Sequence, residues 1–167
     1  MDIKKIFNRE INYNIDFIEI ESDADHKFME ECCNAKDFSD FITEGYIDDE
    51  YLIIHREGQN IGICALKIEN RMGIRTARPN IYITHRKSLS SFLAINSVAY
   101  HLFRHENIDR LELRIYSNNK QMLSIANCGV YIYEGRMKYC KRTGDTFVDL
   151  YFYSILKKEF DALLESD

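Results

Sequence analysis

The sequence predicts one α/β domain: a mixed, strongly twisted sheet of six to seven strands with helices on both faces. Three observations predict it. Apolar and polar residues alternate at period two in several stretches, most plainly where Leu111, Leu113 and Ile115 interleave with Glu112, Arg114 and Tyr116. Ahead of that stretch, Phe92, Ile95, Ala99, Leu102 and Phe103, with Leu89 and Val98 beside them, form an apolar stripe at helical spacing. A strand, a helix and a strand in this order imply a crossover and a parallel pair, and hairpins on either side make the remaining pairs antiparallel.

Taken in order, residues 15–20 (IDFIEI) have the composition of a first strand. Two short helices are expected next, over His26–Asn34 and over Asp37–Thr43, the second with Phe38, Phe41 and Ile42 on one face and Gly45 as its stop. Strands at Tyr51–His55 and Ile61–Ile68 flank a hairpin turn at Gly58. A second turn at Asn70–Gly73 leads into a strand ending at about Thr84, and Pro79 predicts an edge position or a bulge in it. The striped helix runs from about Ser88 to His105, followed by the alternating strand 111–116. A short helix over Lys120–Cys128 stops at Gly129, and two long strands, Val130–Tyr139 and Thr146–Ile155, are joined by a turn at Gly144. Leu156–Leu164 closes as a helix with Phe160, Leu163 and Leu164 on one side.

The 167 residues are enough for one well-buried core, and 46% apolar with 29% charged residues is ordinary globular composition. A net charge of −5 gives nucleic-acid binding no global electrostatic support, although a local basic cluster can still hold a small anion. No apolar run reaches the length of a membrane span, and MDIKKIFNRE has no apolar leader core, so the expected location is the cytoplasm. Cys32, Cys33, Cys64, Cys128 and Cys140 show no metal-ligand spacing and read as buried small apolar residues, so no metal is expected.

From Tyr51 to Phe160 the order of elements resembles the GNAT acyltransferases, in particular their RimJ/RimL-like branch. The residues that carry the resemblance are the Ile61-Gly62 step, the loop Arg86-Lys87-Ser88-Leu89-Ser90-Ser91, Asn119, and Glu134-Gly135-Arg136. Gly144, Asp149, Tyr153-Ser154 and Glu159-Phe160 follow in the family's order. Leu89 and Ser91 stand where the family's loop has glycines; shifting the register by one puts Ser88 and Ser90 there, with His85 at the head. Ala126 stands where many members carry a tyrosine as general acid, and Val130-Tyr131 replaces a glycine–phenylalanine pair.

The resemblance implies a GNAT fold and transfer of an acetyl or other acyl group from acetyl-CoA or another acyl-CoA. The acceptor is an amine of a small molecule, an amino sugar or a protein N-terminus, and attack on the thioester is direct. Backbone N–H groups of residues 87–91 would cradle the pyrophosphate, with charge from Arg86 and Lys87 and further donors on Ser88, Ser90 and Ser91. Leu89 would crowd that ligand. The alternative reading of the loop is a basic turn that caps the helix through Ser88 or Ser90. Ile81, Tyr82 and Ile83 would form the backbone platform for the acyl carbonyl. Asn119 would hold the pantetheine side, or cap the following helix. His85 is the candidate base because imidazole titrates near neutrality. Tyr82, Tyr131 and Tyr133 are candidate acids toward the thiolate, or packing residues in strands. Asp37, Asp40, Glu44, Asp48, Asp49 and Glu50 would favour a cationic acceptor, or form a solvated face. Two rival readings stay open: a GNAT-fold binding module without turnover, and an enzyme that takes its acyl group from a carrier protein. Edge strands near the C-terminus make a homodimer one expected state.

Overall fold

The computed structural model describes residues 15–35, 50–84 and 88–165. Its strands are β1 (Ile15–Glu19), β2 (Glu50–Arg56), β3 (Gln59–Arg71), β4 (Ile74–Ile83), β5 (Arg110–Tyr116), β6 (Ile132–Thr143) and β7 (Thr146–Leu156). Its helices are α1 (Asp23–Cys33), α2 (Ser88–His105), α3 (Lys120–Cys128) and α4 (Lys157–Glu165). The strands form one sheet in the order β1-β2-β3-β4-β5-β7-β6, antiparallel except for β4 with β5. The helix expected at Asp37–Thr43 lies outside the described residues.

Local chemistry explains most boundaries. The hairpins β2–β3 and β3–β4 turn on Glu57-Gly58 and Met72-Gly73, each pair with both φ values positive, which is the twist-matched two-residue turn. Helix α1 begins three residues before the expected His26 because Ser22 caps it. The Ser22 hydroxyl accepts from Asp25 N–H at 3.1 Å, and the Asp25 carboxylate accepts from Ser22 N–H at 3.2 Å. Pro79 lies in a central strand, opposite Leu66 of β3, rather than at the edge expected for it. The β4–β5 ladder has ended two residues earlier, at Ala77, so on that side no ladder needs a proline N–H.

The main core lies between one sheet face and α2, α3 and α4. It contains Ile54, Cys64, Ile81 and Ile83 from the strands, with Ile95, Leu102, Ile125 and Phe160 from the helices. On the opposite face, Phe28, Met29 and Cys32 of α1 pack on Ile63 and Tyr82, which puts helices on both faces. Cys32 and Cys64 are buried, as the composition suggested, but Cys140 on the edge strand β6 is exposed. Among the described residues, no helix is long and apolar enough to cross a membrane.

Candidate active site

Parallel pairing of β4 with β5 is confined to Thr76–Arg110 and Ala77–Leu111. Past that point β4 keeps its register with β3 as far as Ile83–Gly62, and β5 keeps its register with β7 as far as Tyr116–Leu150. Two strands that start together and then follow different partners open a gap between their C-terminal halves. In open α/β sheets, ligands bind at the carboxyl ends of the strands. Helix α2 starts at Ser88, just beyond β4, so the free N–H groups and positive dipole of its first turn belong to this end of the sheet. The end of β4 is fastened to β3, because Thr84 N–H and Oγ1 both donate to the Ile61 carbonyl, at 2.9 and 3.0 Å.

The two faces beside the gap differ in chemistry. Toward α2, Ile81, Ile83, Leu113 and Ile115 are part of the apolar core. The other face carries Arg78, Asn80 and Tyr82 on β4, and Glu112, Arg114 and Tyr116 on β5. Arg78, Asn80, Tyr82 and Tyr116 are each only 7% exposed. Arg78 binds Glu69 through Nη1 at 3.0 Å and Glu112 through Nε at 2.9 Å, and Arg114 Nε reaches the same Glu112 oxygen at 2.8 Å. Burial works to raise the Glu112 carboxyl, but the Arg114 hydrogen bond and the Arg78 charge outweigh it and hold the group below its ordinary range. Arg110 continues the chain to Glu134, whose other oxygen accepts from Ser154 Oγ at 2.7 Å. Sequence reading passed over Arg78, Asn80, Arg114 and Tyr116, because half of a strand's alternating residues are polar in any half-buried sheet. The signal that sets these apart is burial, which follows from register and not from composition.

The residues singled out from the sequence divide into three groups. Ile81, Tyr82 and Ile83 form the buried end of β4 beside the gap, with 5%, 7% and 5% exposure. His85, Arg86 and Lys87 lie outside the described residues, as do the side chains of Ser88, Leu89, Ser90 and Ser91 in the first turn of α2. The remaining three residues have definite partners. Asn119 caps α3, its Oδ1 accepting from Met122 N–H at 3.1 Å, and its own N–H donates to the Tyr116 carbonyl at 2.9 Å. Tyr131 is buried and donates its hydroxyl to the Ile95 carbonyl of α2 at 3.2 Å, and burial pushes its phenol well up. Tyr133 is 52% exposed on β6, its ring 5.4 Å from Tyr153 and 6.2 Å from Tyr151. Ala126, at the position of the family's tyrosine, is fully buried. No group of three or more potential metal-ligating side chains occurs among the described residues.

No family model matches the sequence, and no curated protein matches it. Solved structures do match. One is the spermidine N-acetyltransferase from Vibrio cholerae in complex with CoA and spermine, at 16% identity and a TM-score of 0.76, covering 89% of this chain and 99% of that one. A probable acetyltransferase aligns at 14% identity and a TM-score of 0.69, covering 90% and 97%. Mutant forms of the Vibrio cholerae spermidine/spermine enzyme align at 16% identity and a TM-score of 0.72, covering 90% and 98%. Whole-length agreement at such low identity is agreement of architecture: the chain has the fold of the GNAT acetyltransferases.

Proposed function

We propose that the protein is an N-acyltransferase that moves an acetyl or other acyl group from acyl-CoA to an amine by direct attack within a ternary complex. The observation that carries this reading is the parting of β4 from β5, with the start of α2 at the same end of the sheet. A thioester arm entering between the strands would lie along the β4 backbone at Ile81–Ile83, and backbone N–H groups there are the proposed polarisers of the acyl carbonyl. The first turn of α2, with Arg86 and Lys87, is the proposed pyrophosphate site. Holding thioester and amine together supplies much of the catalysis by orientation alone.

Proton balance is the remaining requirement. An alkyl ammonium with a pKa of about 10.4 must lose a proton before attack, and His85 is the proposed base. The leaving thiolate needs little help, since a thiol of pKa about 8.5 departs close to its own stable form. That dispenses with an acid at Ala126 and with Tyr131, whose hydroxyl already serves the Ile95 carbonyl. Tyr133, its ring tilted against Tyr153 at the sheet edge, is likewise left out of the proposed chemistry.

Release of free thiol from acetyl-CoA, followed over a panel of amines, tests the reading. Amine-dependent release that is lost in His85→Ala with acetyl-CoA binding intact is the expected result. Binding of acetyl-CoA with no amine-dependent release from any member of the panel would favour the non-catalytic module, to which the replacement of the family's tyrosine by Ala126 also points. In the active protein Tyr131→Phe should keep kcat within about twofold while costing about 0.5–1.5 kcal/mol of stability for the lost hydrogen bond.

A further inference from the structure

We propose that Tyr153 is a positioning residue for the acyl-CoA site: its hydroxyl pins the C-terminal end of α3 to β7 through Asn127 and so fixes the wall that bounds the donor on the β5 side. This inference rests on the acyltransferase reading and deepens it, since it gives that site a residue pair that acts through a helix.

Tyr153 lies on the apolar face of β7, 3% exposed, in the core that also contains Ile125 and Ala126 of α3. A phenol buried that far needs a hydrogen-bond acceptor. It finds one on the helix: the Tyr153 hydroxyl donates to Asn127 Oδ1 at 2.8 Å. Burial pushes the phenol above its ordinary value, so it stays protonated and keeps donating. The Tyr133 ring, 5.4 Å away on the neighbouring β6, flanks the Tyr153 ring on its outer side and limits its swing. Asn127 is exposed, and an exposed amide gains little by trading water for a protein partner. The bond is therefore a constraint that the sheet places on the helix.

The start of α3 is tied to the same strand by separate bonds. Ser117 N–H donates to the Asp149 carbonyl at 2.8 Å, and Asp149 N–H donates to Ser117 Oγ at 3.1 Å. Asn119 N–H closes the turn on the Tyr116 carbonyl at 2.9 Å. Asp149 and Tyr153 share one face of β7, four residues apart, which is about 13 Å at strand spacing. Helix α3 has nine residues, about 13.5 Å at helical spacing. Helix and strand segment match in length, and α3 is fastened to β7 at each end. A helix this short is marginal by itself, so its position follows its ties.

The place of α3 gives those ties a consequence for the gap. Strand β5 stays paired with β7 as far as Tyr116–Leu150, and α3 follows after residues 117–119. Both α2 and α3 therefore start at the end of the sheet where β4 and β5 part, α2 from the β4 side and α3 from the β5 side. Ile95 of α2 and Ile125 and Ala126 of α3 share one core with Ile81 and Ile83 of the proposed acyl platform and with Leu113 and Ile115 of β5. Tyr131, three residues after α3, reaches the Ile95 carbonyl and couples the segment to α2. A thioester arm along Ile81–Ile83 would thus have α2 on one side and α3 on the other. Without the Tyr153 bond the C-terminal end of α3 is free to move against the sheet. A loosened wall lowers the fraction of molecules whose slot has its binding width, and apparent affinity falls by that fraction.

The test is calorimetric titration of acetyl-CoA into the full chain, wild type and variants, with urea midpoints measured alongside. Tyr153→Phe should weaken binding by about threefold to tenfold, and Asn127→Ala by a similar factor. The double variant should lose no more than about what either single variant loses, since both remove one bond. Asn127→Asp keeps an acceptor for the hydroxyl and should bind within about twofold of wild type. Ile108→Val, in the core at the amino end of β5, lowers the urea midpoint through lost packing and should also bind within about twofold. The proposal is overturned if Tyr153→Phe binds as tightly as wild type, if the two single losses multiply in the double variant, or if Ile108→Val loses as much affinity as Tyr153→Phe. No binding of acetyl-CoA to the wild type would overturn the acyltransferase reading and this proposal together. Wild-type binding that Tyr153→Phe leaves intact would overturn this proposal alone.

Discussion

A Cβ on Gly62 would stand 2.2 Å from the carbonyl oxygen of Tyr82, a backbone atom that cannot swing aside. The Ile61-Gly62 step is therefore a requirement of close approach: β3 comes so near β4 that only a hydrogen fits beside the proposed acyl platform. Gly62→Ala should cost about 1–3 kcal/mol of stability through overpacking and should weaken acetyl-CoA binding more than a core substitution of equal cost elsewhere. Urea midpoints and calorimetric titration of the folded variant check both parts; unchanged values for both would mean that β4 is free to shift. The importance of Gly62 could be read from the sequence, because the step is part of the family resemblance. The role of Tyr131 could not: its hydroxyl partner is a backbone carbonyl on helix α2, 36 residues away. Residue type tells that a buried phenol needs an acceptor, and only the fold supplies which.

Elements were more legible than residues. Every strand and helix expected within the described residues is present. Helix α3 spans the expected Lys120–Cys128, because Asn119 and Gly129 punctuate it at both ends. Boundaries slipped where a stop signal is weak. Helix α1 starts early on its Ser22–Asp25 capping box, whose Asp is a less familiar partner than Glu, and β6 runs on to Thr143 because its bulge absorbs residues without ending the ladder. Asn119 shows what an element asks of a residue: its side chain caps the first turn of α3. Asn119→Ala should therefore destabilise the protein by about 1 kcal/mol, seen in thermal or urea unfolding, with acetyl-CoA affinity moving by no more than about twofold. A much larger loss of affinity would give Asn119 the cofactor role beside the cap.

The described residues form a sheet with one apolar face under α2, α3 and α4, and a second face that carries α1 and the ion pairs. Periodicity and element order predicted the sheet and its helices; they could not predict the crossing network, since partners such as Arg78 and Glu112 are brought together by the β4–β5 pairing 34 residues apart in sequence. That network makes a pH prediction. Glu112 and Glu69 are held below their ordinary 4.5 by arginines that outweigh burial, and Glu134 by its Arg110 hydrogen bond. A carboxyl depressed in the folded state contributes stability that is complete above its unfolded value and is lost as pH falls through the folded one. Urea midpoints should hold from neutrality down to about pH 4.5 and then drop, and Glu112→Gln, less stable at neutral pH, should show a shallower drop. An equal slope in the variant would remove Glu112 from the acid transition. The account as a whole stands on acyl-CoA entering where β4 and β5 part. Calorimetric titration of acetyl-CoA into the wild type and into the Arg86→Ala, Lys87→Ala double variant addresses that most directly. Micromolar binding, weakened in the variant by about 1–3 kcal/mol for lost charge-assisted bonds, is the predicted result. No detectable binding to the wild type at millimolar acetyl-CoA would contradict it.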